Sequence, residues 1–344
     1  MKSKILVTGG LGFIGSHTVV ALQQQGFEVV IIDNLSNSSI DVLAGITKIT
    51  QTTPEFVNID LRNKDAVIDF FEKYQDITGV IHFAASKAVG ESVENPLLYY
   101  ENNLSTLIYI LQQLSKKNKA SFIFSSSCTV YGQADNLPIT ENAPVKKAMS
   151  PYGNTKQIGE EIIMDTCKVY PSLKAISLRY FNPIGAHPST EIGELPIGTP
   201  QNLVPFITQT AIGKREQLSV FGNDYPTSDG TCVRDYIHVV DLAQAHVVAL
   251  KKLMEEEALG KNYDVFNLGT GKGNSVLEVI QSFERSTGEK LPFKIVDRRE
   301  GDITAAYADT NKANTGLNWR AEHSLDEALK SAWKWEKKVF KNED

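Results

Sequence analysis

The chain has 344 residues, 42% of them hydrophobic, enough for one large or two modest globular domains with a substantial core. Its formal net charge of −6 leaves no broad basic face of the kind a nucleic-acid or membrane-surface protein needs, so an anionic ligand must be met by a few local arginines. Cys128, Cys167 and Cys232 are too widely spaced for a disulfide framework or a zinc site and point to a reducing cytoplasm, and Gly9, Gly10, Gly12 and Gly15 break the apolar start before a signal segment or membrane span is complete.

Short apolar runs alternate with helical patterns from the start: a strand over Ile5 to Thr8, a helix over Gly12 to Gln25, a strand over Val29 to Asp33. Further strands are predicted at Glu55 to Asn58, Val80 to Phe83, Ser121 to Ser125 and Ala175 to Arg179. Helices are predicted around Lys64 to Lys73, Leu97 to Lys117 and Tyr152 to Lys168. This alternation predicts an α/β chain with a Rossmann-type doubly wound parallel sheet over residues 1–181. After Phe181 the texture turns to proline- and glycine-rich loops, so a smaller mixed α/β unit is expected over 182–344. Tyr236 to Leu253 reads as a strand and helix, and Val265 to Leu268 as a strand, that return to the first domain. Lys251 to Glu257 reads as a solvated charge run, and the charged tail Lys337 to Asp344 as frayed. Trp319, Trp333 and Trp335 read as core.

Gly9, Gly12 and Gly15 form G-x-x-G-x-x-G between the first strand and the first helix, where glycine lets the backbone approach a pyrophosphate held at a helix N-terminus. Asp33 ends the second strand eighteen positions after Gly15, near the distance at which an acid meets the ribose hydroxyls and repels a 2′-phosphate. NAD is therefore favoured over NADP. The polar loop Asn34, Ser36, Asn37, Ser38 could fold over the adenosine or be an empty turn. A second glycine cluster, Gly269-Thr270-Gly271-Lys272-Gly273, lacks both the leading glycine and the Ser or Thr of a phosphate-binding loop and reads as a turn.

Ser150-Pro151 has the chemistry of a helix N-cap and first residue, which puts Tyr152 and Lys156 in the first turns and on one face. A nearby ammonium and a positive nicotinamide would favour the phenolate and make Tyr152 a base. Ser125-Ser126-Ser127 ends a strand where active sites of open α/β sheets gather; one hydroxyl could bridge substrate and tyrosine, or merely cap the next turn. His17, His82, His187, His238, His246 and His323 show no metal-ligand spacing, so no metal is expected.

The glycine fingerprint, the serine strand and Tyr152-x-x-x-Lys156 together resemble the extended short-chain dehydrogenase/reductase family. Ile81 to Ala85, Lys87 to Ser92, Arg179 to Asn182, Phe221 to Tyr225 and Gly230 to His238 are similar to its UDP-glucose 4-epimerases, almost end to end. The resemblance implies Tyr152 as base, Lys156 as its electrostatic partner and nicotinamide-ribose ligand, and Ser127 as the hydroxyl shared with the sugar. It implies a tightly bound NAD lined by Gly9, Gly12, Phe13, Ile14 and Gly15 at the phosphates and by Asp33, Asn34, Asn37, Ser38, Asp60 and Leu61 at the adenosine. Phe83, Ala84, Ala85, Lys87, Asn102, Ser125 and Tyr180 would complete that pocket. Asn182, Asn202, Leu203, Val220 and Phe221 would hold the UDP-sugar together with Arg234, Tyr236, Arg299 and Asp302, with Lys87 also reaching the substrate. The implied reaction is reversible 4-epimerisation of UDP-galactose and UDP-glucose through a 4-keto sugar, in a cytoplasmic homodimer joined through Leu97 to Lys117 and Tyr152 to Lys168.

Two alternatives stay open on the residues. A sugar-nucleotide 4,6-dehydratase needs an acid and a base beside the active-site hydroxyl, where Ser127 is followed by Cys128 and Thr129. A non-catalytic NAD-binding protein could share the fold. Related enzymes carry tyrosine or a small residue at the position of Ala306, and a small one accompanies room for a 2-N-acetyl group, which extends the expected substrates to UDP-N-acetylhexosamines.

Overall fold

The computed structural model describes residues 3–255, 261–299 and 302–343; Glu256 and Glu257 of the charge run, Gly301 and Asp344 lie outside the described residues. The chain opens as β1 (Lys4–Thr8), α1 (Phe13–Gln24), β2 (Glu28–Asp33), α2 (Asp41–Thr50), β3 (Glu55–Asn58), α3 (Lys64–Lys73) and β4 (Ile77–His82). Helices α4 (Val89–Glu94) and α5 (Pro96–Leu114) lead to β5 (Ala120–Ser127), α6 (Pro151–Val169), β6 (Leu173–Tyr180) and the short β7 (Asn182–Ile184). The second half supplies α7 (Leu203–Ala211), β8 (Leu218–Phe221), β9 (Val233–His238), α8 (Val239–Met254), β10 (Tyr263–Leu268), β11 (Gly273–Ser275) and α9 (Val276–Thr287). It closes with β12 (Phe293–Val296), β13 (Ala305–Ala306), α10 (Asn311–Gly316) and α11 (Leu325–Glu343).

Seven parallel strands form one sheet in the order β10-β6-β5-β4-β1-β2-β3, so the strand order reverses between β4 and β1. The period of two along a strand explains its stability. Ile5, Val7, Ile31, Ile81 and Ile123 enter one buried cluster, while Leu6, Val30, Ile32, Val80 and Phe122 enter another. Both faces are thus covered, as continuous apolar runs in a parallel sheet require. The crevice at the order reversal, beyond the carboxyl ends of β4 and β1, is where a ligand belongs in such a sheet.

Two expectations change, and one helix carries no expectation. The strand expected to return at Tyr236 is β9, and it joins a smaller sheet, β11-β9-β13, with β7 also paired to it. The place beside β6 is taken by β10, while α8 packs against α1. The tail expected to fray is helical to Glu343, because Ala328, Leu329 and Trp333 recur at helical spacing and are buried in the cluster that holds Val279 and Phe283 of α9. Helix α2 follows the polar loop directly and buries Gly45 and Ile46; its Ile- and Thr-rich sequence carries little helical signal. No described helix is long and apolar enough to cross a membrane.

Candidate active site

The glycine loop is built so that nothing larger fits. Gly9 has φ +66°, and a Cβ on it would meet the Ala84 amide nitrogen at 2.9 Å; a Cβ on Gly15 would lie 2.1 Å from the Gly9 carbonyl oxygen. Helix α1 begins at Gly12 with no side-chain cap and no acid in its first turn, which leaves its positive end to an outside anion. Phe13 and Ile14 open that turn. The Asp33 carboxylate accepts from the Leu11 amide at 3.1 Å, the Leu35 amide at 3.0 Å and the Ser38 hydroxyl at 2.8 Å, so it braces the glycine loop besides ending β2. Asn34 and Asn37 are exposed beside it, while Asp60 pairs with Arg62 at 2.6 Å and Leu61 is buried.

Across the crevice, the Phe83 amide donates to the Thr8 carbonyl at 3.1 Å and the Ala84 amide reaches the Thr8 hydroxyl at 3.3 Å, holding the Phe83–Ala85 loop over β1. Asn102 donates to the Ser86 hydroxyl at 3.0 Å. Its neighbour Asn103, absent from the expected set, accepts from the Ser86 amide at 2.8 Å and donates to the Thr155 hydroxyl at 3.1 Å, tying α5 and the Ser86 loop to α6. Two consecutive asparagines inside a helical pattern are the one hint the sequence carries. Lys87 is exposed at the rim.

Ser150 caps α6 by accepting from the Gly153 amide at 3.1 Å, with Pro151 as first residue. Tyr152 and Lys156 are both buried. Lys156 Nζ donates to the Ser125 carbonyl at 2.7 Å and lies 5.8 Å from the centroid of the Tyr152 ring and 4.9 Å from that of Phe124. Burial lowers the Lys156 ammonium to about 8, against the pull of Glu160. Burial likewise pushes the Tyr152 phenol well above its ordinary value, with Tyr180 adding to the rise and a hydrogen bond with Ser127 opposing it. Ser127 Oγ also accepts from the Thr129 amide at 3.2 Å, so it caps the following turn as well as meeting the tyrosine. Ser125 Oγ and Tyr180 OH are 2.5 Å apart. Cys128, its thiol raised to about 11 by burial, packs against the buried cluster that includes Ala306.

The substrate candidates gather on β9. Asn182 is the register partner of Tyr236, and Ala306 that of Arg234. The Asp302 carboxylate accepts from Arg299 at 2.8 Å and lies 3.8 Å from Arg234, which brings two guanidiniums to one point. Arg299 also stands 5.7 Å from the centroid of the Phe221 ring, whose neighbour Val220 is buried; Phe221 itself is 41% exposed, a flat apolar face beside two cations. Asn202 and Leu203 start α7, and Asn202 donates to Glu194 at 2.8 Å.

The second glycine cluster explains itself. The buried Asp235 carboxylate accepts from the Thr270 amide at 2.8 Å, the Thr270 hydroxyl at 2.7 Å, the Gly271 amide at 3.1 Å and the Ala308 amide at 3.2 Å. This anion-binding turn is filled by the chain's own carboxylate. Asp235 stands between Arg234 and Tyr236, so the same bonds fix the strand that carries both. Among the described residues no cluster could hold a metal ion.

A family model described as GDP-mannose 4,6 dehydratase matches residues 6–332. A UDP-glucose 4-epimerase of Bacillus subtilis is 49% identical over 332 residues, covering 96% of each chain. The fold matches a crystal structure of UDP-glucose-4-epimerase from Stenotrophomonas maltophila with bound NAD and formylated UDP-arabinopyranose, with TM-score 0.94, 47% identity and 99% of each chain covered. It also matches the Bifidobacterium longum UDP-glucose 4-epimerase in complex with NAD+ and UDP, with TM-score 0.92, 44% identity and 98% of each chain covered. Likeness of this extent in sequence and backbone, over a chain with the crevice described above, makes the protein a member of the extended short-chain dehydrogenase/reductase family, in its UDP-glucose 4-epimerase branch.

Proposed function

We propose that the protein interconverts UDP-galactose and UDP-glucose by NAD-dependent 4-epimerisation through a 4-keto sugar. The observation that carries this reading is the convergence of Tyr152, Lys156 and Ser127 at the sheet edge facing a glycine cradle, in a chain 49% identical over nearly its whole length to a UDP-glucose 4-epimerase. The cradle fits NAD: the positions where a Cβ would collide are those a pyrophosphate would approach, and Asp33 suits an unphosphorylated ribose. When bound, NAD would supply a positive nicotinamide that favours the Tyr152 phenolate and would serve as acceptor and donor for the sugar C4 hydride. Tyr152 takes the proton of the sugar 4-hydroxyl and gives it back after the ketose has turned. Ser127 orients that hydroxyl, and Lys156 keeps a positive charge beside the phenol. Arg234 and Arg299 answer the diphosphate and Phe221 the uracil, so the nucleotide holds while the loosely bound sugar rotates. No carboxylate follows Ser127, which leaves the 4,6-dehydratase alternative without its acid and base.

Residues 1–181 with α8 and β10 serve, in this reading, as the NAD-binding unit and residues 182–344 otherwise as the UDP-sugar unit. The cytoplasmic assignment rests on three free cysteines. A homodimer through α5 and α6 is supported by apolar side chains left bare there, Leu97 at 80% exposure and Val169 at 70%. The small Ala306, register partner of Arg234, extends the substrates to UDP-N-acetylgalactosamine and UDP-N-acetylglucosamine; a rate on the acetylated pair far below that on the plain pair would refute this extension.

The test is to incubate the protein with UDP-galactose, without added cofactor, and follow the anomeric protons by NMR. Conversion to an equilibrium mixture with UDP-glucose is expected, together with loss of at least three orders of magnitude in Tyr152→Phe at unchanged fold. No conversion even with added NAD, or near-normal turnover in Tyr152→Phe, would overturn the reading.

A further inference from the structure

Behind the Tyr152–Lys156 face of α6 lies a buried polar chain that the proposed reaction does not use. Glu160 follows Lys156 by four residues and Tyr152 by eight, so all three share a face. One Glu160 oxygen accepts from Ser126 Oγ at 2.5 Å and Arg179 Nε at 2.9 Å; the other accepts from Arg179 Nη2 at 2.5 Å. Ser126, Arg179 and Asn267 are register partners across β5, β6 and β10, and Arg179 Nη1 continues the chain through the Tyr131 hydroxyl at 2.9 Å to Asn267 at 2.6 Å. Glu160 and Arg179 are 7% and 6% exposed and Ser126 is fully buried.

A buried ion pair is a poor device for stability, since desolvation of two charges offsets their attraction and an apolar pair of like volume holds a core as well. Its place suggests a different role. Ser126 sits between Ser125, whose carbonyl accepts from Lys156, and Ser127, which meets Tyr152. We propose that Glu160 is a positioning residue for the reaction: through Ser126 it fixes the strand end that carries Ser125 and Ser127, and its charge, one turn behind Lys156, keeps that ammonium protonated.

The charged and titratable groups around Lys156 are few. Tyr152 and Glu160 stand on its own helix, and His82 of β4 is held neutral, lowered to about 3 by burial and by Lys156 itself. Beside it β5 contributes only the Ser125 carbonyl and the Phe124 ring, and the Arg179 guanidinium of β6 is already paired with Glu160. Among the described residues, Glu160 is therefore the anion that opposes the burial lowering Lys156 to about 8. Without it the ammonium loses its proton at a lower pH, and the alkaline limb of kcat moves with it.

The inference rests on the epimerase reading, which fails separately if the parent protein does not convert UDP-galactose. Three variants of the full-length protein, Glu160→Gln, the double variant Glu160→Gln with Arg179→Met, and Ser126→Ala, are compared with it in kcat, KM, pH profile and melting temperature. In both Glu160 variants kcat is expected to fall at least tenfold at pH 8 with KM for UDP-galactose within twofold, and the alkaline limb to move at least half a pH unit toward acid. The double variant leaves no unpaired buried charge and answers the question should the single one not fold. Ser126→Ala, which keeps the ion pair, is expected to lower kcat threefold to tenfold with KM and the limb unchanged. A parent-like limb in a folded Glu160 variant would reduce the pair to an internal strut, and parent-like kcat in Ser126→Ala would remove the strand-end tether.

Discussion

Lys156 carries a cost that only function explains. Its folded value of about 8 lies below the ordinary 10.5, with burial as the leading cause. Below pH 8 the side chain is charged in folded and unfolded chains alike, and the folded state bears the full penalty of burying the charge. Between pH 8 and 10.5 the folded state releases its proton first and the penalty fades. Lys156→Met is therefore expected to stabilise the fold by roughly 3 kcal/mol at pH 7, seen as a higher melting temperature, with the gain shrinking as pH rises above 8. Turnover should be lost in the same variant, the trade between stability and activity expected where an active site stores unfavourable burial. A lower melting temperature at pH 7 would mean that the hydrogen bond to the Ser125 carbonyl outweighs the desolvation.

At the scale of elements, the turn from β1 into α1 shows why glycine spacing carries information that composition does not. The Gly9 carbonyl oxygen stands where any side chain on Gly15 would begin, so α1 can approach β1 only if position 15 has no Cβ. Gly15→Ala must push α1 away from the sheet, moving the helix end that faces the pyrophosphate. The expected result is protein that folds, with a melting temperature several degrees lower, and that purifies with little bound NAD by absorbance; full NAD content would show that the loop yields without disturbing the helix. The polar turn after β10 teaches the converse. Gly269 to Gly273 has the look of an anion site, yet Asp235 occupies its amides, and only the pairing of β9 with β11 brings that carboxylate within reach.

For the molecule as a whole, the two barest apolar side chains among the described residues, Leu97 and Val169, lie on α5 and α6. Leu97 at the start of α5 and Met164 and Val169 toward the end of α6 are exposed, and α5 and α6 pack on each other. Leu97→Glu should leave the monomer's core untouched, since the residue is 80% exposed. If this surface joins two copies, sedimentation should find a dimer whose dissociation constant rises tenfold to a hundredfold in the variant, the effect of about 1.4 to 2.8 kcal/mol. A parent that sediments as a monomer at micromolar concentration would refute the homodimer.

Much of the sheet and of the candidate site was legible in the chain itself because the signals are local. Apolar runs of strand length, Ser150-Pro151 ahead of Tyr152, and three glycines after β1 each act within a few residues, and the β3 and α3 limits fall where composition places them. What only the tertiary structure decided is long-range. That β9 leaves the first sheet while β10 enters it depends on which strand reaches the edge of β6, a competition that periodicity cannot register. The links from Asn103 to Thr155, from Glu160 to Ser126 and Arg179, and from Asp235 to the Gly271 turn join residues up to 52 positions apart, and no single segment records them. Local chemistry thus determined which groups the site contains, and packing determined what holds them and at what electrostatic cost.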